Sequence, residues 1–175
     1  MGAGDDGYAW SGRLLAQHQG YGGGHAEDRV FQEEGWQAEE GTEYMMLPYP
    51  VSTNVYWRNF RGRMVRSSAA IAYKDEVGWM AKASKLQLFT VPVMVMLVLH
   101  PVRPADAEKR EKKDRLWGLG VRRIDIDNAQ KVALDALQGI AYENDRQITF
   151  LSIRLGQPVK DGGLHVTITE DKDWI

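Results

Sequence analysis

Three rhythms of apolar and polar positions run along the chain. Residues 91–99 are apolar on both alternating faces, the pattern of a strand covered on two sides, and they predict the central strand of a sheet. Before them, Ser67 or Ser68 can cap a helix in which Ala69, Tyr73, Val77 and Met80 recur at spacings of four, four and three, running to about Ser84. Gly78 inside that helix costs roughly 1 kcal/mol against alanine, which predicts a close approach to the sheet, and Trp79 is assigned to the core. Downstream, Ala129, Val132, Ala133, Ala136, Leu137 and Ile140 give a second helical period, with Gly139 as its stop. Residues 44–49 read as a short strand closed by Pro48 and Pro50. Residues 147–155 alternate as another strand, and Asp161, Gly162 and Gly163 turn the chain into a last one over 164–169.

These elements predict one compact α+β or α/β domain over 44–170, with a mixed sheet of about four to five strands and two main helices. Such a domain is large enough to fold alone. Residues 171–175 are expected to be a frayed tail. Residues 1–43 show no sustained period and are rich in Gly, Gln and Glu, which predicts a disordered extension. His18 and His25 in it are read as solvated.

Charge sharpens the division. Residues 1–43 hold two basic and nine acidic residues, a net −7, whereas the remainder holds 20 basic and 15 acidic, a net +5. A cationic domain is the footprint of phosphate binding. The absence of cysteine excludes a disulfide framework and thiolate metal ligation. The longest apolar run is too short to span a membrane, and no signal-peptide pattern opens the chain, so a cytoplasmic protein with no membrane partner is expected.

The candidate chemistry lies in 122–147. Asp125 and Asp127 are two apart, so an extended backbone would send both side chains from one face. Asp127 is a plausible N-cap with Gln130 completing a capping box, and Lys131 follows one turn on. The residues after Gly139 are numerous enough to bring Asp145 back beside the pair. Three carboxylates and a lysine are what hydrolysis of a phosphodiester by a hard, oxygen-liganded cation such as Mg2+ needs. The competing reading makes the aspartates a loop, a cap and a turn, and the lysine a solvated charge.

Residues 52–66 interleave Asn54, Arg58, Arg61, Arg63 and Arg66 with Tyr56 and Trp57, a composition that suits phosphates and unstacked bases, the alternative being a cationic loop whose aromatics fill the core. A second basic run, Lys109, Arg110, Lys112, Lys113 and Arg115, lies in 101–121, and Arg122 and Arg123 precede the acids. DNA contact is expected of these cations too. Neither the glycine run at 20–24 nor Gly118, Leu119 and Gly120 completes a nucleotide-binding fingerprint, so no nucleotide cofactor is expected. His100 and His165 have no partner at a ligand spacing and are read as structural.

Beyond the acids, Leu47, Pro48, Tyr49 and Pro50 with Ser52 and Asn54 resemble the opening L-P-x-P-P-S-x-N of the RusA-type Holliday junction resolvases, a phage and prophage endodeoxyribonuclease family. Arg61, Gly62 and Arg63 with Ser67, Ala72 and Tyr73 resemble its next block. Residues 122–147 resemble its acidic core, and Lys160, Asp161, Gly162 and Gly163 followed by Val166, Thr167, Ile168 and Thr169 its closing hairpin. The resemblance covers about 44–170. It implies that Asp125, Asp127 and Asp145 are catalytic metal ligands, that Lys131 is the active-site lysine, and that the cofactor is Mg2+, with Mn2+ able to substitute. It also implies a homodimer that cuts four-way DNA junctions in bacterial recombination and repair. Asn144 stands where many relatives have an acid, which bears on metal tuning. Relative to that pattern 101–121 is an insertion, which leaves room for a less selective flap or fork nuclease. A non-catalytic junction binder is the alternative outside enzymes. Because the resemblance begins only near Tyr44, residues 1–43 are expected to be dispensable, with Met45 or Met46 as an alternative start and unchanged stability.

Overall fold

A computed structural model describes residues 41–174. In chain order the elements are β1 (Thr42–Leu47), α1 (Thr53–Tyr56), β2 (Trp57–Phe60), β3 (Arg63–Arg66), α2 (Ser68–Ala83), β4 (Val93–His100), α3 (Ala107–Glu111), α4 (Ile126–Leu137), β5 (Ile148–Leu155) and β6 (Gly163–Glu170). The helix predicted from 67 to 84 is α2: Ser67 Oγ accepts from Ala70 N at 3.1 Å and Ser84 is its C-cap. The expected disorder of 1–43 falls outside the described residues as far as 40. Thr42 and Glu43 belong to β1, which starts earlier than its apolar pattern suggests because Thr42 and Glu43 pair with Thr169 and Ile168 of β6.

Four strands form one mixed sheet in the order β1-β6-β4-β5, with β4 antiparallel to β6 and parallel to β5; β2 and β3 form a separate ribbon. One face of the sheet, with Leu47, Val93, Val95, Leu97, Leu99, Leu164, Val166 and Ile168, packs against Val77 and Ala81 of α2 and Val132, Ala136 and Leu137 of α4. On the other face of β4, Met94 and Met96 are only half-buried, so the expected cover on both sides is incomplete. Val98 and His100 are buried there against Gly156, and His165 is buried beside His100. Gly162, at φ +69, makes the last turn: a Cβ would lie 2.8 Å from Tyr49 Cδ2 and 3.1 Å from His100 O, so only glycine fits.

Several local expectations give way. Trp79 is 71% exposed rather than in the core, and Gly78 faces Ile140 at ordinary contact distance instead of approaching the sheet. Together with Lys74, Asp75 and Lys82 they line an open groove on the outer side of α2. His100 and His165, without partners by sequence spacing, meet across β4 and β6 with ring centroids 4.7 Å apart. The tail is tied down as far as Asp171, which donates its N–H to Pro92 O at 2.8 Å and accepts a hydrogen bond from Thr149 Oγ1. Among the described residues no helix is long and apolar enough to cross a membrane.

Candidate active site and nucleic-acid interface

The acids are organised by α4. The extended chain stops at Asp125, the N-cap (φ −66°, ψ 145°), and Asp127 is already in the first helical turn. The face-sharing of an extended D-x-D therefore does not apply. Nor does Asp127 cap the helix with Gln130: Asp125 holds the cap position, and its side chain makes no capping hydrogen bond. Both carboxylates instead lie at the positive end of a twelve-residue helix, where backbone N–H groups lack intrahelical partners and negative charge is favoured. Lys131 is one turn beyond Asp127 on the same helix. Asp125, Asp127 and Lys131 are exposed and take part in no ion pair among the described residues.

Two contacts fix this end of α4. Tyr49 Oη accepts from Ile124 N at 3.0 Å, so the Leu47-Pro48-Tyr49-Pro50 segment holds the chain immediately before Asp125. Thr53 Oγ1 donates to Asn128 Oδ1 at 2.8 Å, anchoring α1 to the first turn of α4. Tyr49 and His100 O both border Gly162, which locates Asp125 and Asp127 beyond the C-terminal end of β4.

Asp145 lies elsewhere. It opens a short 3-10 turn capped by Asn144, three residues before β5. Gln147 in that turn donates to Phe89 O and Val91 O, both at 3.0 Å, ahead of the start of β4. Its charge acts on Tyr142, whose hydroxyl pKa is raised first by burial and then by Asp135 and Asp145; that hydroxyl donates to Leu134 O near the C-terminal end of α4. A parallel β4–β5 pair joined through α4 has to start β5 at the opposite end of the sheet from the end of β4. Asp145 is therefore separated from Asp125 and Asp127 by roughly 20 Å, the length of a helix or strand of this size. Among the described residues no three acidic or histidine side chains come together as a metal site. The expectation that Asp145 folds back beside the pair fails within this chain, because chain length permits a return that the crossover topology forbids.

Residues 52–66, to which the sequence pattern assigns no element, form α1 and the β2–β3 ribbon. Tyr56 is buried and plugs the core; Trp57 packs edge-on against it at 5.3 Å and remains partly exposed. The arginines 58, 61, 63 and 66, together with Asn54, are exposed, and none is in an ion pair among the described residues. The turn has φ +52 at Arg61 and +78 at Gly62, with Gly62 N donating to Asn59 Oδ1 at 3.0 Å. Positive φ at both central residues matches the twist of a tight hairpin, so the signal that the sequence reading overlooked was the Arg61-Gly62 pair.

The insertion folds on its own small cluster of Ala107, Trp117 and Val121, and Arg103 lies over the Trp117 ring at 5.4 Å. Arg110 is ion-paired to Asp106 at 2.8 Å, and that bond lowers the Asp106 pKa. Arg123 Nη1 donates to Leu119 O at 2.9 Å and Val121 O at 3.3 Å, which ties the insertion to the approach to Asp125. Arg110 and Arg123 are thus partly committed to internal contacts, whereas Lys109, Lys112, Lys113 and Arg122 are exposed and make no ion pair among the described residues.

Comparison with known proteins identifies relatives of the chain. Residues 48–169 match the family described as Endodeoxyribonuclease RusA. The chain is 33% identical over 131 residues, 74% of this chain and 95% of the relative, to the crossover junction endodeoxyribonuclease rusA of Enterobacteria phage 82. The RusA proteins of Escherichia coli (strain K12) and Shigella sonnei (strain Ss046), which carry the same description, match with the same identity and coverage. With 48–169 matched by the family and nearly the whole of each relative covered, the chain belongs to the endodeoxyribonuclease RusA family.

Proposed function

We propose that this protein is a structure-selective endodeoxyribonuclease that resolves four-way DNA junctions by Mg2+-dependent phosphodiester hydrolysis, acting as a homodimer in the cytoplasm of a phage- or prophage-bearing cell. The observation that carries the reading is an exposed carboxylate pair at the N-terminus of α4, beside an arginine-rich ribbon, in a chain whose relatives are named crossover junction endodeoxyribonucleases.

The donor set suits a hard cation: Asp125, Asp127 and Asp145 offer only oxygens, none is held in an ion pair among the described residues, and Mg2+ or Mn2+ needs few protein ligands. When bound, the metal would polarise the phosphoryl oxygen and lower the pKa of the attacking water. Lys131, one turn from Asp127, offsets the charge that accumulates on phosphorus. Arg58, Arg61, Arg63, Arg66 and Arg122 hold phosphates on either side, and Asn54, Lys109, Lys112 and Lys113 extend the track.

Both the reaction and the position of Asp145 support a dimer. Two symmetric cuts in a junction with two-fold character call for two sites related by a C2 axis. In such a dimer Asp125, Asp127 and Lys131 of one subunit would be joined by the Asp145 that the same subunit cannot bring to them.

Offering the purified protein a four-way junction, a fork, a flap and a linear duplex, with Mg2+ and with chelator, tests the assignment. Paired nicks in the four-way junction, dependent on the metal, are expected. Equal cutting of forks and flaps would favour the less selective nuclease, and tight binding without cleavage the non-catalytic binder. The second is disfavoured because exposed carboxylates repel DNA phosphates and serve no purpose in binding alone.

A further inference from the structure

The β2–β3 ribbon exposes more apolar surface than phosphate binding requires. Phe60 is 51% and Met64 63% exposed, both next to the turn. Neither a third strand nor a helix of the described residues covers the ribbon. A two-stranded ribbon is marginal in water by itself, and large apolar side chains at its tip forgo the burial that would stabilise it. The ribbon is nevertheless firmly built. Its tip is locked by the Arg61-Gly62 turn and the Asn59 side chain; its base is fixed by buried Tyr56, by Ser67 N donating to Tyr56 O at 2.9 Å, and by the Thr53–Asn128 bond to α4. It is a finger rooted at the first turn of the helix that bears Asp125 and Asp127.

Charge identifies what the tip meets. The guanidinium of Arg58 lies 5.7 Å and that of Arg61 5.3 Å from the centre of the Phe60 ring, and the register pairs Phe60 with Arg63 across the ribbon. An aromatic face among three cations matches a base among its phosphates: the cations take the backbone and the ring takes the base. In an intact duplex every base face is occupied by its neighbours, and entry costs a few kcal/mol of unstacking. At a branch point the stack is already interrupted, so a base face is accessible at low cost.

Resting on the branched-DNA reading, we propose that Phe60 is a specificity-determining residue that stacks on a base at the crossover, with Arg58 and Arg61 on the flanking phosphates, so that the ribbon separates branched from linear DNA before the carboxylates act. The alternative occupant, a second copy of the chain, is an outcome of the same test.

The full-length protein is titrated in chelator, so that nothing is cut, against a four-way junction carrying 2-aminopurine beside the crossover and against linear duplex of the same sequence. Wild-type protein is expected to change the 2-aminopurine fluorescence of the junction and to prefer it over duplex. Phe60→Ala should abolish that change and weaken junction binding by about 5- to 100-fold, the range expected from losing one base–aromatic stack, with duplex affinity and oligomeric mass unaltered. Phe60→Trp should retain both properties, which also excludes misfolding as the cause. Equal weakening on junction and duplex, an unchanged fluorescence response in Phe60→Ala, or a fall in oligomeric mass would each overturn the inference while leaving the nuclease assignment standing. Absence of any junction preference in the wild type would remove the branched-DNA reading and this inference with it.

Discussion

Lowering the pH from 7 to 5 should destabilise the fold through one buried side chain, His165. It is 7% exposed on β6, paired across the sheet with Val98 on β4 and Met46 on β1, and its ring meets that of His100 edge-on at 4.7 Å. His100 Nδ1 lies 2.8 Å from Gln157 O, a carbonyl that can only accept, so Nδ1 of that ring carries a proton. Burial first, and His100 second, push the His165 pKa down from 6.5 to about 4. Because the folded value is below the unfolded one, the unfolded chain binds more protons between these pH values. The contribution to stability is complete above pH 6.5 and is lost as the pH falls towards 4. The full span corresponds to about 3 kcal/mol, and the part lost between pH 7 and pH 5 to about 2 kcal/mol. Urea midpoints at pH 7, 6 and 5 for wild type and His165→Gln measure it. The wild type should lose about 2 kcal/mol more than the variant across that interval, since every other titrating group is common to both. Parallel pH profiles would refute the assignment of a neutral buried imidazole at this position.

Lys131→Ala should reduce the single-turnover cleavage rate by about 100-fold and alter junction affinity far less, as expected for a charge used in the transition state; an unchanged rate would make it a solvated helix lysine. Replacing Arg58, Arg61, Arg63 and Arg66 together with alanine should flatten the dependence of log binding constant on log salt by about 3 to 4, at roughly 0.9 per phosphate contact, and an unaltered slope would place the DNA elsewhere. A chain beginning at Met45 should still cut junctions, but it loses three ladder positions of β1, including the Thr42–Thr169 hydroxyl contact at 3.1 Å. Urea unfolding should register a loss of about 1 to 3 kcal/mol, and full stability would mean that these pairs contribute nothing.

What could be read from the sequence follows the strength of the local signal. The helix α2 was legible at both ends because Ser67 and Ser84 bracket a regular period, and β4 because an unbroken apolar run has few other uses. The helix after the acids was equally clear, but a D-x-D offers two candidate caps, and only the extended backbone at Asp125 decides between them. Trp79 was misplaced because α2 also exposes Ile71, so its apolar residues do not mark one face. The ribbon had no apolar alternation, being exposed along almost its whole length. The candidate site was half legible: Lys131 stands one helical turn from Asp127 as the spacing requires, but the D-x-D pair sits at a helix N-terminus and not on an extended strand. Asp145 depends on which end of the sheet β5 starts from, and the meeting of His100 with His165 depends on strand register; neither is a property of local sequence.

In the proposed dimer Asp125 and Asp127 act in one hydrolytic site with an Asp145 that the same subunit keeps apart from them. This sharing is tested by mixing two variants, Asp125→Asn and Asp145→Asn, each expected to bind a four-way junction at least as tightly as wild type without cutting it. After subunit exchange, a heterodimer whose sites are shared would contain one site with both substitutions and one with none. The mixture should regain metal-dependent cleavage, as single nicks in place of the paired nicks of the wild type. A mixture that forms heterodimers and stays inactive would contradict the sharing.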